Sequence, residues 1–344
     1  MKKFFLKPYR WATVFSVFLM GSFLLTMLDT FVIPKTIRAV VPKTASNIET
    51  TAQTGTMEQT EPMEQTEPTE QSEPNAQTET ATQAETTTQT ESASQVQSEP
   101  VITDTSYEDT NIKLNIETVQ EYNSSIYIAD IQLKDATYLK TALAGNSYGR
   151  NIKEATSEMA GENNAILAIN GDYYGFRDYG YVLRNGVLYR DAAREAGDDE
   201  ALIIDNAGDF SIILESQMSM DALNSEDIWQ ILSFGPALVA DSQVVVDSHS
   251  EVSRAMQSNP RTAIGQISDL HYIIIVSDGR TDESKGLSLL ELAQVFKDRG
   301  CAIAYNLDGG GSATMYFNGN IVNNPTDGRY FGERAVSDIV YIGY

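Results

Sequence analysis

Cysteine and histidine are nearly absent from this chain, and acidic side chains outnumber basic ones 48 to 24. A single cysteine, Cys301, excludes an intramolecular disulfide and a cysteine-based zinc site. Cys301 follows Gly300 and opens an apolar run, the pattern of a small core residue. The two histidines, His249 and His271, leave little from which to build a serine triad. His271 begins an apolar strand and reads as structural; His249 lies in the polar loop DSHSEVS and is a candidate for contact with a site. The formal net charge of −24 gives no electrostatic footprint for nucleic acid, so no nucleic-acid partner is expected. It also makes any arginine beside an anion-binding loop informative.

Large apolar side chains are missing from residues 44–100, which are Thr, Glu, Gln, Ser and Pro for the most part. MEQTEP occurs at 57–62 and again at 63–68, and TEQSEP follows at 69–74. Such a segment cannot bury enough surface to offset its conformational entropy. It is expected to form a disordered, self-repelling linker over residues 34–104. Before it stands one long apolar run, WATVFSVFLMGSFLLTML, continued past Asp29 to Ile33. At 1.5 Å per residue, residues 11–33 span about 34 Å as a helix, enough for a bilayer core. Lys2, Lys3, Lys7 and Arg10 precede the run, so residues 1–10 read as a basic cytoplasmic tail and the rest as extracytoplasmic. A cleaved signal peptide is the competing reading. The length of the run and the lack of a nearby A-x-A site favour an uncleaved signal-anchor in the cell membrane.

Residues 105–344 alternate short apolar runs with turn signals, enough chain for one sizeable core. The expected fold class is α+β: a single mixed, strand-rich domain with a few helices. SSIYIADIQL (124–133) is a strand. YVLRNGVLYR (181–190) is a hairpin turning on Asn185-Gly186, and residues 201–214, 236–246 and 261–276 give three more hairpins. Helices are expected at 151–160 and 287–299, each followed by a glycine, Gly161 or Gly300, suited to a C-cap. Three apolar strands then release the chain into polar turns holding Asp172, Asp278 and Asp308. Were these strands parallel, their carboxyl ends would meet at one sheet edge, where open sheets commonly place ligands.

NLDGGGSAT (306–314) is the most specific string. Its glycines allow a close backbone approach, and their N–H groups can form an anion-binding concavity. A P-loop is excluded because no Lys follows, and a nucleophile elbow because Thr314 stands where its last Gly should be. With histidine scarce, the chemistry falls to carboxylates. Asp308 is the principal candidate, with Asp172, Asp278 or Glu291 as a second carboxylate. Arg261 in NPRTAIG and Arg280 in SDGR suit a phosphate clamp. Tyr173, Tyr174, Phe176, Tyr179 and Tyr181 supply aromatic faces of the kind that suit a sugar ring.

Taken together, AINGDYY, GYVLRNGVL, FGPALV, NPRTAIG, IIIVSDGR, the run from SLLELAQVF through NLDGGGSAT to YFNG, and the closing ERAVSDIVYIGY resemble the phosphodiester glycosidase family. The pieces keep the family's order over roughly residues 140–344. The resemblance implies hydrolysis of a sugar-1-phosphodiester, here in a cell-surface glycan or exopolysaccharide. Asp308, Arg261 and Asn306 fall on the family's motif positions; joined to the reading of the residues, the expected catalytic set is Asp308, Asp172 and Glu291, with Asn170, Arg261, Asp278, Arg280, Asn306, Gly309, Gly310, Gly311 and Ser312 on the substrate. One departure is that the family's NGG reads NGD at 170–172, which weighs against an essential Asp172. No cofactor is expected, and no ligand spacing demands a metal, although a cation could bridge Asp308 and phosphate. A non-catalytic wall-glycan-binding module and a metal-dependent phosphodiesterase are the competing functions.

Overall fold

The computed structural model describes residues 8–37, 99–224, 227–248, 258–328 and 330–344. His249 and the repeat-bearing stretch of the expected linker lie outside the described residues. The described part is a strand-rich α+β structure with four α-helices, the first of them apolar and N-terminal. That helix, Pro8–Phe31, is long and apolar enough to cross a membrane between Arg10 and Thr30, and Trp11, Phe15, Phe18, Phe23, Leu24 and Leu25 on it are exposed. Inside the stretch expected as linker, Lys35–Thr36 and Val101–Ile102 are short strands. Lys35–Thr36 pairs antiparallel with Gly149–Arg150.

A nine-stranded sheet forms the backbone of the domain. Its central strands run Ala237–Ala240, Ile303–Asn306, Arg261–Ser268, His271–Ser277, Ser124–Leu133 and Ile112–Glu121 in spatial order. Alternate residues of His271–Ser277 serve two different cores. Ile274 and Val276 face a cluster shared with Leu167, Ile169, Leu202, Ile204 and Val340 from two five-stranded sheets. Ile273 and Ile275 face Leu289, Leu292, Ala293 and Phe296 of helix Leu289–Asp298. Burial on both faces explains why HYIIIV reads as a continuous apolar run rather than an alternating one. The fully buried Phe296 side chain contributes about 1.5–3 kcal/mol by leaving water. The helix lies so close to the sheet there that a Cβ at Gly265 would stand 2.8 Å from the Phe296 ring.

The four expected hairpins are present, and Asn185 and Gly186 both hold the positive φ that a tight two-residue turn requires. The first expected helix is shifted. It runs Thr156–Glu162, so Gly161 is inside it and the left-handed residue beyond its end is Asn164. Gly300, with φ +82, does follow helix Leu289–Asp298 as expected. All of the ladders between named strands are antiparallel, and the three strands that end near Asp172, Asp278 and Asp308 do not pair with one another.

Candidate active site

Strand Arg261–Ser268 explains why the polar strand ends still converge. It pairs antiparallel on one side with His271–Ser277, matching Arg261 to Ser277, and on the other with Ile303–Asn306, matching Ala263 to Asn306. Its two neighbours therefore run in the same direction. Their carboxyl ends, leading to Asp278 and Asp308, flank the first residue of the middle strand, Arg261. The third strand end arrives from a different sheet. Asn170, fully buried, donates from Nδ2 to the Asp308 carbonyl at 2.6 Å and accepts from Thr262 Oγ1 at 2.8 Å. Asn170 thus positions the Asp308 loop and is walled off from solvent.

Asp308 lies where two clefts meet. The larger, about 560 Å³, is lined by Arg177, Arg261, Arg280, Phe234, Asn306, Gly309 and Gly310 among others. The smaller, about 320 Å³, is lined by Lys153, Tyr173, Phe176, Ser312, Asp327, Arg334 and Ser337 among others. Asp308 lines both. Burial pushes its carboxyl up to about 6, against the opposing pull of the Ser312 hydroxyl, the Arg334 guanidinium, the Gly309 N–H and Arg177. A carboxyl that ionises near neutrality is suited to taking and giving a proton.

Two of the three glycine N–H groups already have partners within the chain. Gly310 N–H is spent on the Pro260 carbonyl at 2.8 Å, and the Gly309 N–H serves Asp308. What the glycines supply is room. A Cβ at Gly310 would stand 2.7 Å from an Arg280 Nη, and one at Gly311 would stand 2.5 Å from an Arg334 Nη. Bare backbone here lets two guanidiniums close on the Asp308 loop. Asn306 donates to the Gly235 carbonyl at 2.8 Å, while its buried Oδ1 closes no hydrogen bond within the chain. The Ser312 hydroxyl, beside the carboxylate, closes none of ordinary geometry either. Buried polar atoms left open at a cleft are available to a ligand or to water.

The structure places the three second-carboxylate candidates elsewhere. Asp172 is fully buried, 2.9 Å from Arg184 Nη2, and accepts the Ser233 N–H at 2.7 Å. Asp278 accepts from Tyr127 Oη, the Asn324 N–H and Asn323 Nδ2, and so ties down the loop after the cleft rather than lining it. Glu291 completes a capping box: its Oε2 accepts from both Ser288 N–H and Ser288 Oγ at 2.8 Å. Glu291→Ala should therefore cost about 1 kcal/mol in stability. The specific activity of the folded protein should stay within about twofold, because a cap does not touch the cleft; thermal melts paired with rate measurements would check both. Arg261 reaches the larger cleft while its Nε donates to the Leu287 carbonyl at 2.9 Å. Arg280, left-handed at φ +65, lines the same cleft.

Sequence reasoning missed Arg177, Arg334 and Asp327. Arg177 lies over the Phe234 ring at 4.8 Å and near the Tyr173 ring at 5.7 Å. Arg334 is ion-paired with Asp327, the carboxylate that shares the smaller cleft with Asp308. Asp327 and Arg334 flank one short hairpin, seven residues apart, while Arg177 comes from a distant loop, and only folding brings the three to the clefts. Among the described residues, no three His, Cys, Asp or Glu side chains gather as metal ligands.

The family model described as phosphodiester glycosidase matches residues 163–343. The SPbeta prophage-derived uncharacterized protein YomE of Bacillus subtilis (strain 168) is 33% identical over 203 residues, 57% of this chain and 31% of that protein. N-acetylglucosamine-1-phosphodiester alpha-N-acetylglucosaminidase of Mus musculus is 36% identical over 91 residues, 26% of this chain and 17% of that protein. The chain thus spans no more than about a third of these curated relatives. Among solved structures, the zebrafish N-acetylglucosamine-1-phosphodiester alpha-N-acetylglucosaminidase catalytic domain, auto-inhibited by pro-peptide, superposes with TM-score 0.54 at 20% identity. That match covers 68% of this chain and 83% of the other. A hypothetical protein from Synechocystis gives TM-score 0.51 at 13% identity over 67% and 62% of the two chains. These likenesses show a shared fold.

Proposed function

Because the chain belongs to the phosphodiester glycosidase family, we propose that it hydrolyses the bond between an anomeric carbon and a phosphodiester oxygen. The observation that carries this reading is a poised carboxylate, Asp308, between two clefts, with three arginines on one side. The transition state is oxocarbenium-like, and a nearby carboxylate stabilises it. The leaving phosphate ester is a weak base and departs as the anion without strong protonation. Water supplies the hydroxyl that joins the anomeric carbon, and Asp308 accepts its proton; alternatively, Asp308 adds to the carbon first and water then releases the sugar. Arg261, Arg280 and Arg177 would hold the phosphate as its charge grows. Asp327 replaces Asp172, Asp278 and Glu291 as the second-carboxylate candidate, on its place beside Asp308.

The anchor reading belongs to the same proposal. The exposed apolar helix Pro8–Phe31 supports a membrane-held enzyme with its domain outside the cytoplasm, acting on a glycosyl phosphate of a surface glycan or exopolysaccharide. A binding module would not need Asp308 and Arg261 together, yet they line one cleft. The test is product analysis on the detergent-solubilised full chain, given methyl diesters of several sugar 1-phosphates. Free reducing sugar plus a phosphomonoester is expected. A phosphorylated sugar would move the assignment to a phosphodiesterase. Binding without turnover would move it to a module.

A further inference from the structure

The two clefts differ in chemistry in a way that gives a substrate direction. The smaller cleft holds the ring pair Tyr173 and Phe176, stacked at 4.7 Å with 20° between planes. Tyr173 is held at φ +69, a conformation that a bulky residue adopts only under constraint, and remains 37% exposed. Ser312 and Ser337 line this cleft, both about 1% exposed, and neither hydroxyl closes a hydrogen bond of ordinary geometry. Arg334 faces it too, but its charge is matched by Asp327; Lys153 stands exposed. The larger cleft presents Arg177, Arg261 and Arg280. Asp198 and Glu200 also line it, with Glu200 Oε2 already accepting the Ala237 N–H at 2.8 Å.

Aromatic faces with open hydroxyls suit a neutral, hydroxyl-rich ring, whereas planar guanidiniums suit a phosphate. We propose that the Tyr173–Phe176 cleft is the sugar subsite and the arginine cleft takes the phosphate and the group beyond it. The scissile bond then crosses Asp308, and Tyr173, Phe176, Ser312 and Ser337 decide which sugar is accepted. This rests on the glycosidase reading above for the identity of the two halves, and it adds their order.

Calorimetry on the full chain, with N-acetylglucosamine, glucose and galactose as one set of half-ligands and inorganic phosphate as the other, tests the order without requiring turnover. Phe176→Ala should weaken the best-bound sugar about tenfold, while phosphate stays within about twofold. Arg280→Ala should do the reverse, weakening phosphate about tenfold. Tyr173→Ala should repeat the Phe176→Ala pattern, separating a subsite effect from a packing effect. The proposal is overturned if Phe176→Ala and Tyr173→Ala weaken phosphate as much as sugar, or if none of the three sugars binds the wild type. Separate half-ligand sites in a protein that cleaves no diester would leave the subsite order standing and remove the glycosidase reading. Cleavage to free sugar with a single mixed site would do the opposite.

Discussion

Asp308→Asn is expected to lower kcat/KM on any glycosyl phosphodiester that the wild type cleaves by about 10²–10⁴-fold, the range for loss of a positioned acid–base group. The wild-type pH profile should carry the signature of the same carboxyl. Activity needs the ionised form, so kcat/KM should rise with pH and pass half-maximum near the value of about 6 to which burial pushes Asp308. Well below that value it should fall about tenfold per pH unit. Arg334 is one of the charges that pull the Asp308 carboxyl down. Arg334→Met should therefore move the limb to higher pH, which a merely structural role for Asp308 would not do. The stability effect has the opposite sign. A carboxyl raised above its ordinary value favours the fold when protonated, so its contribution is present at low pH and is lost as pH rises through about 6. The amide of Asp308→Asn carries no charge, and above about pH 6 the variant should melt no lower than wild type. An inactive variant that is also less stable at about pH 8, where that linkage predicts no loss, would sink the assignment.

How far the site could be read from the residues depends on whether a signal was local. NG at 185–186, the apolar runs and NLDGGG are local patterns, and they located the hairpins, the strand ends and Asp308. Asp172 shows where local pattern misleads. NGD resembles NLD in order and spacing, yet one Asp meets a cleft and the other is sealed against an arginine. The difference lies in Arg184, on the following hairpin, and in Asp338, near the chain end. The glycine triplet is legible as a local pattern, but its use depends on what packs over it. Arg280 and Arg334 fill the space that Cβ atoms would take, and Arg334 sits inside the closing ERAVSDIVYIGY without any local sign that it reaches the glycines. The chemistry is assembled from loops far apart in sequence, and their joint position is a property of the sheets that hold them.

Arg184→Ala is expected to be the most destabilising single change near the site. Arg184 is 2% exposed and joins two fully buried carboxylates: Nη2 lies 2.9 Å from Asp172 and 2.8 Å from Asp338, and Nε donates to Asp338 at 3.0 Å. Burial alone would raise both carboxyls. Around Asp172, the opposing pull of Arg184 and of the Ser233 N–H wins, and its carboxyl is held below the ordinary range. Asp338 has the same cation but also faces the Asp172 charge, and its carboxyl stays raised. Losing the guanidinium strands Asp172 as an uncompensated buried charge, a change that costs about 3–5 kcal/mol. Asp338→Asn should cost far less, because the amide it introduces keeps an oxygen acceptor for Arg184 and removes the crowding between carboxylates. The two variants separate a structural triad from a catalytic one. If Asp172 and Asp338 only hold the turn that carries Tyr173 toward the cleft, Asp338→Asn should retain most of kcat while Arg184→Ala loses activity in step with its folded fraction, followed by circular dichroism. A well-folded Asp338→Asn with kcat down about a hundredfold or more, the scale of a lost acid–base group, would place this buried triad in the chemistry instead.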